Sequence, residues 1–246
     1  MTIPMPVLLF IIAHWYLSLL SQTFFLHRYS AHRVFSMSPA WEKFFFVFTW
    51  LTQGSSYLSA TAYGIMHRMH HAYADTDKDP HSPKFDRNLF AMMWRTKNIY
   101  NGILFRNIHV DEAFTQNIPS WPAFDRFAGS WPSRLLWAAA YTAFYLHFAT
   151  HWWMFLFLPL HFLMGPVHGV IINWFAHKYG YRNFEVNDTS RNLLPLDLLM
   201  MGEAYHNNHH GNSKRANFGH RWFELDPTFG IIRLMQGLGI IRPRTA

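Results

Sequence analysis

The amino-acid sequence predicts an all-α integral membrane protein, with about three transmembrane helices under a cytoplasmic helical cap that holds histidine boxes. Three observations lead there. Half of the 246 residues are apolar and 19% are aromatic, while only 14% carry formal charge, against about a quarter in soluble domains. Long stretches run without a charged residue. Of seventeen histidines, eight gather into clusters outside those stretches. Mean hydropathy is nonetheless -0.04, so a sizeable polar body accompanies the spans.

The first apolar run extends from Ile3 to Leu26, broken only by His14, Ser18, Ser21, Gln22 and Thr23. That is long enough for a hydrocarbon core needing about 20 residues. A cleavable signal peptide would begin with basic residues and end on small ones; here His27 and Arg28 follow the run, so it is read as a span. The stretch from Leu135 to Trp174 contains no Lys, Arg, Asp or Glu. Two helices fit it, turning near Ala149 to Trp153, as a transmembrane hairpin. Basic residues set the orientation: Arg28 and Arg33 follow the first span, Arg126 and Arg134 precede the hairpin, and Lys178 and Arg182 follow it. The positive-inside rule then places these ends in the cytoplasm and the N-terminus outside. The net charge of +7 is accounted for by such flanking residues, and no basic stripe for nucleic acid stands apart from them. The localisation expected is a bacterial inner membrane.

The apolar stretch from Trp41 to Tyr63 is long enough to be a span, but a single crossing would put the histidines on either side of it on opposite membrane faces. Only 34 residues separate His32 from His67, and two crossings need about 40. It is therefore expected as an interfacial or core helix of the cap. The stretch from Trp222 to Ile241 is short, mixed and Gly-rich, and is expected to pack or lie at the interface. No linker or low-complexity tract divides the chain, so residues 1–246 are read as one domain.

Three clusters carry the chemistry: His27 with His32, then His67, His70 and His71 as HxxHH, then His206, His209 and His210 as a second HxxHH. His177 stands alone after the hairpin. Residues three and four apart share a helix face, so each HxxHH unit points its rings one way. A five-residue step is about 140° around an α-helix, so His27 and His32 need a bent turn or two different metals. There are no cysteines, which leaves nitrogen and oxygen donors. So many imidazoles exceed one ion's shell, and two metals are implied; Zn, Cu, Fe and Ni all accept imidazole. The HExxH helix of a metalloprotease is missing, as are the Glu-x-x-His units of ferritin-like bundles. An all-nitrogen dinuclear site at a membrane face suits oxygen chemistry on a lipid better than hydrolysis. Asp79 and Glu203 are cast as partners that orient ligand rings, and no separate acid or base is assigned.

The order HxxxxH, HxxHH, HxxHH, with Asp79-Pro80-His81, the segment from Asn173 through His177 to Arg182 (NxxxH-x-YGYR) and Gly202-Glu203, resembles the membrane fatty acid desaturase family, especially its acyl-CoA (Δ9-type) branch. The resemblance runs from about His27 to His210. It implies two iron ions held by His27, His32, His67, His70, His71, His177, His206, His209 and His210, with Asn173 reaching one iron through water. It also implies Asp79, His81 and Glu203 beside the ligands, and Tyr63 and Trp174 along a substrate tunnel. Dioxygen and two electrons from a separate ferredoxin- or cytochrome b5-like donor would remove two hydrogens from a fatty acyl chain, on acyl-CoA or acyl-lipid. No HPGG heme segment is present, so the donor is expected as another protein. The sequence departs from the family in three places. One span precedes the first box where two are usual, in a family with four spans; Tyr63 stands where a tryptophan is usual, and Ile65 where a basic residue is.

Two other readings compete. A related di-iron hydroxylase or sterol or carotenoid oxidase has the same box spacing, and the DPH and YGYR elements weigh toward the desaturase. A metal transporter would carry ionisable groups inside its spans, as His147, His151, His161 and His168 suggest, but the dense clusters lie outside the spans.

Overall fold

The computed structural model describes residues 2–244 and is mostly helical. Helix α1 (Met5–Leu20) begins with Pro6 in its first turn, where a missing N–H costs nothing, and continues without a break into a π-helical segment, Ser21–Ala31. Together, Met5–Ala31 is the one helix among the described residues that is by itself long and apolar enough to cross a membrane. All eleven residues of the π-helical segment are buried, so the end of the first apolar run is not a lipid-facing tail but is enclosed by the rest of the fold.

Around that segment pack α2 (Pro39–Gln53) and α3 (Ala60–Tyr73), and α4 (Leu89–Leu104) packs on the other side of α3. Phe24, Phe25, Tyr29, Phe35, Phe45 and Phe46 form the core between the segment and α2, each such ring stabilising the fold by roughly 1.5–3 kcal/mol. The stretch expected as one helix from Trp41 to Tyr63 is two. It breaks at Gly54, which has φ +52°, a backbone that glycine alone adopts without strain here. The break lets α3 start afresh at Ser59, whose hydroxyl accepts from Ala62 N, and this turns the second box toward the first. A short antiparallel pair, β1 (Phe35–Met37) with β2 (Ile241–Pro243), ties the loop after the first box to the far end of the chain.

Two small helices, α5 (Glu112–Thr115) and α6 (Pro122–Ala128), lead into α7 (Trp131–Phe148), the first arm of the predicted hairpin. The turn falls at Ala149 to His151, as expected. The second arm is not one straight helix: Trp152–Phe162, which includes α8 (Leu158–Phe162), meets Met164–Phe175 at a 72° bend, and the pair passes the span criterion only together. Its second limb starts as α9 (Met164–Val170) and ends in a π-helical turn, Ile171–Phe175. Helix α7 does not pass on its own hydropathy, since Arg134, Tyr141, Thr142, Tyr145 and His147 interrupt its apolar residues. Two of the isolated histidines act as an interhelical link: His14 Nδ1 lies 2.7 Å from His161 Nδ1, whose Nε2 is 2.9 Å from the Tyr145 hydroxyl. His109, His147, His151 and His220 are exposed.

The chain then runs through irregular segments to α10 (His206–Gly211) and α11 (Pro227–Gly237). A Cβ at Gly54 would fall on the Tyr141 ring. Gly54→Ala should therefore lower the unfolding free energy by roughly 1–3 kcal/mol, read as a lower thermal midpoint in detergent.

Candidate metal centre

The first box is placed by the π-helical segment. His32 N donates to His27 O at 3.1 Å, a bond to the fifth residue back. In that winding a five-residue step comes close to a full turn, so the two rings lie 4.9 Å apart. The angular problem of an α-helix does not arise. The second box stands on α3, and the third on α10, only six residues long. Two buried asparagines inside the third box hold that short helix. Asn207 Oδ1 accepts from the backbone of Asn183 and Phe184, and Asn208 Oδ1 accepts from Asn183 and Asn192 side chains.

The nine predicted ligands come together as two groups, five rings (His27, His32, His67, His71, His209) and four (His70, His177, His206, His210). Within each, one nitrogen per ring lies within 4.8 Å of all the others. The two HxxHH units do not each serve one group. His67 and His71, four apart, join the first and His70 crosses to the second; His206 and His210 join the second and His209 crosses to the first. The rings of His71 and His210 are 4.5 Å apart, so the groups adjoin.

Three carboxylates fix tautomers. His27 Nδ1 is 2.6 Å from Glu203, His70 Nδ1 is 2.9 Å from Asp79, and His210 Nδ1 is 2.7 Å from Asp188. A carboxylate accepts, so each Nδ1 carries the hydrogen and a neutral ring keeps its lone pair on Nε2. Yet His70 Nε2 and His210 Nε2 face each other at 3.2 Å. No hydrogen is left to lie between them. Two buried lone pairs at that separation fit a cation and do not fit a hydrogen bond; His27 Nε2, fixed in the same way by Glu203, lies 3.0 Å from His209 Nε2. Borderline metals, iron included, suit such nitrogen donors.

Burial dominates the electrostatics. It holds His32, His67, His70, His71, His206 and His209 well below the ordinary imidazole range, with neighbouring rings adding to the effect. His177 is lowered to about 4, by burial first and then by His210. Burial raises Glu203 and Asp188, but the His27 ring, Arg28 and Thr23 outweigh it for the former, and His210 and Ser190 for the latter, so both end below their usual values. A buried Arg28–Asp226 pair at 2.7 Å stands behind Glu203, and Arg28 also donates to Thr23 at 2.8 Å.

Of the residues predicted beside the ligands, Asp79 and Glu203 hold rings as described. The His81 ring lies 4.1 Å from that of His70, tilted by 34°, with neither of its nitrogens bonded to protein. Asp188 was not singled out from sequence. It lies 22 positions before His210 in an irregular segment, and no helical spacing connects the two. Asp75 is a second such residue: it accepts from Ser82 at 2.5 Å and from Thr189 N at 2.6 Å, while Thr189 Oγ1 lies 3.1 Å from His177 Nδ1.

A cavity of about 600 Å³ opens onto these groups, lined by His27, His67, His206, Leu19, Met66 and Ile172 among others. Tyr63 and Asn173 line it too. Trp174, predicted along the tunnel, does not. The π-helical turn faces Ile172 and Asn173 inward, and the Trp174 ring lies instead under Lys178 Nζ at 3.5 Å.

The family model described as Fatty acid desaturase matches residues 2–236. The Delta-9 desaturase-like 5 protein of Arabidopsis thaliana is 33% identical over 91% of this chain and 72% of its own length. An sn-1 stearoyl-lipid 9-desaturase of Anabaena variabilis is 30% identical over 94% of this chain and 80% of its own. A protein of the same name in Synechocystis sp. is 31% identical over 88% and 64%.

The depressed histidines imply a pH dependence with a definite sign. Between about 4 and 6.5 the folded protein keeps His177 neutral while an unfolded chain protonates it. The folded state then binds fewer protons, so its stability is complete above 6.5 and is lost as pH falls toward 4. The thermal midpoint of the metal-free protein should be level above about pH 7 and decline on acidification below it.

Proposed function

This chain belongs to the fatty acid desaturase family, and from that premise we propose that nine histidines hold two iron ions beside the acyl-chain cavity. It is an oxidoreductase that desaturates fatty acyl chains. The observation that carries the metal reading is the facing of the His70 and His210 lone pairs, beside the gathering of nine imidazoles into two adjoining groups of five and four. The ligands are His27, His32, His67, His71 and His209 on one side and His70, His177, His206 and His210 on the other, with Asn173 acting through a water. Bound iron supplies the oxygen chemistry that takes two hydrogens from the acyl chain. Dioxygen ends as two waters, the balance being two electrons from a separate ferredoxin- or cytochrome b5-like donor and two protons.

The protein's own part is placement and exclusion. The cavity walls hold one methylene pair against the metal groups and keep bulk water out. Asp79, Glu203 and Asp188 keep three rings in the tautomer that offers Nε2 inward. The relatives named as stearoyl-lipid 9-desaturases favour an acyl chain carried on a lipid and a double bond at the Δ9 position. The whole chain is one domain, with α1, α7 and the bent pair as its membrane part and the histidine-bearing elements, the π-helical segment included, as a cytoplasmic cap in a bacterial inner membrane. The basic residues Arg28, Arg33, Arg126, Arg134, Lys178 and Arg182 support that orientation.

Expression in a host lacking the relevant unsaturated lipids, with mass spectrometry of total fatty acids, tests the function. A new double bond at C9, lost in His70→Ala, is expected; a hydroxylated product would overturn it in favour of the related oxidase chemistry. Asp188→Asn should lower iron affinity about 10–100-fold in a metal titration, while leaving the helical content unchanged by circular dichroism.

A further inference from the structure

Between His177 and the third box, the chain passes through a leucine-rich loop, residues 193–201, with the sequence LLPLDLLMM. Soluble proteins bury such a run. Here Leu196, Leu198 and Leu199 are each about half exposed, at 50%, 54% and 50%. The polar atoms of the loop are turned the other way. Asp197 is fully buried, and its carboxylate accepts from Met200 N at 2.7 Å, Gly202 N at 2.8 Å and Ala204 N at 2.9 Å; its own N–H donates to the Tyr205 hydroxyl at 3.0 Å. The loop therefore has its leucines outside, while its one carboxylate is turned inward and pairs three backbone N–H groups at the loop's end.

Its position in the fold indicates what covers the leucines. Trp15 Nε1 donates to Leu199 O at 3.0 Å, and the inner side of the loop packs on Trp15, Leu19, Leu20 and Ile171. Trp15 lies about midway along Met5–Ala31, and Ile171 belongs to the bent pair. The loop thus sits beside the apolar helix at the level of its own lipid-facing residues Ile12, Tyr16 and Leu17, which are exposed. Trp222, 92% exposed, extends the surface, since it shares a shallow depression with Leu196. Exposed Arg221 precedes it in the chain, a charge that suits an anionic lipid surface.

We propose that the 193–201 loop and Trp222 form a membrane-embedded plate that enters the lipid leaflet next to α1, a contact separate from the spanning helices. The inference rests on the reading of Met5–Ala31 as a span. Its consequence is positional: Glu203, which holds His27, and His206 follow the loop within a few residues, so the leaflet braces the third box from below.

The absence of native cysteines allows a direct test. Leu196→Cys, Leu198→Cys and Trp222→Cys would each carry a nitroxide label, with Leu9→Cys on α1 and Lys214→Cys on the cap as references. The full chain is placed in phosphatidylcholine–phosphatidylglycerol vesicles, and collisions with dissolved oxygen and with a water-soluble nickel chelate are compared. Oxygen access exceeding nickel access at the three plate positions, as at Leu9→Cys, is the expected result. Nickel access like that of Lys214→Cys, with Leu9→Cys still oxygen-rich, overturns the plate and leaves the span standing. Nickel access at Leu9→Cys as well overturns both.

Discussion

Nine imidazoles packed together are unfavourable in any protein interior unless something neutralises the mutual repulsion of their lone pairs, and the cap is arranged around that constraint. Burial favours the neutral form of His70, His206 and His209, and three carboxylates direct the Nδ1 hydrogens of His27, His70 and His210 outward, so that their Nε2 atoms face inward. A cation resolves this and an apolar filling would not. The metal-free chain is expected to be strained at its centre, and bound metal adds directly to folding stability.

From that constraint much of the scaffold follows. The π-helical segment is costly as regular structure, yet it brings His27 and His32 to one side and lies enclosed by the rest of the fold with all its residues buried. Arg28 inside it pairs with Asp226, the cap residue of α11, so the C-terminal helix is joined to the first box through a desolvated ion pair. Removing one partner would leave a buried charge alone, a loss of several kcal/mol, on the order of 3–5. The asparagines between the histidines of the third box have a comparable part, holding a helix too short to persist by itself.

The boxes, their order and their number were legible in the sequence because HxxHH is a local pattern, and local patterns survive without coordinates. All nine predicted rings gather in the two groups, and Asp79 and Glu203, expected beside ligand rings without a particular partner, lie against His70 and His27. The break at Gly54 and the 72° bend of the second arm were not legible, because hydropathy measures how apolar a stretch is and not whether it is straight. Trp174 shows the same limit. Its neighbour Asn173 faces the cavity and it does not, a difference set by the local π winding.

By itself, then, the sequence determined which donors are available, nitrogen and oxygen without thiolates, and the apolar length available to meet a bilayer. Only the tertiary structure decided which ring joins which group, because the partition of His67 and His71 from His70, and of His206 and His210 from His209, depends on how α3 and α10 cross the π-helical segment. It also brought Asp188 to His210 and Asp75 to Thr189. Hydrogen bonds between segments far apart in the chain have no periodicity to betray them; they exist only once packing has closed the distance.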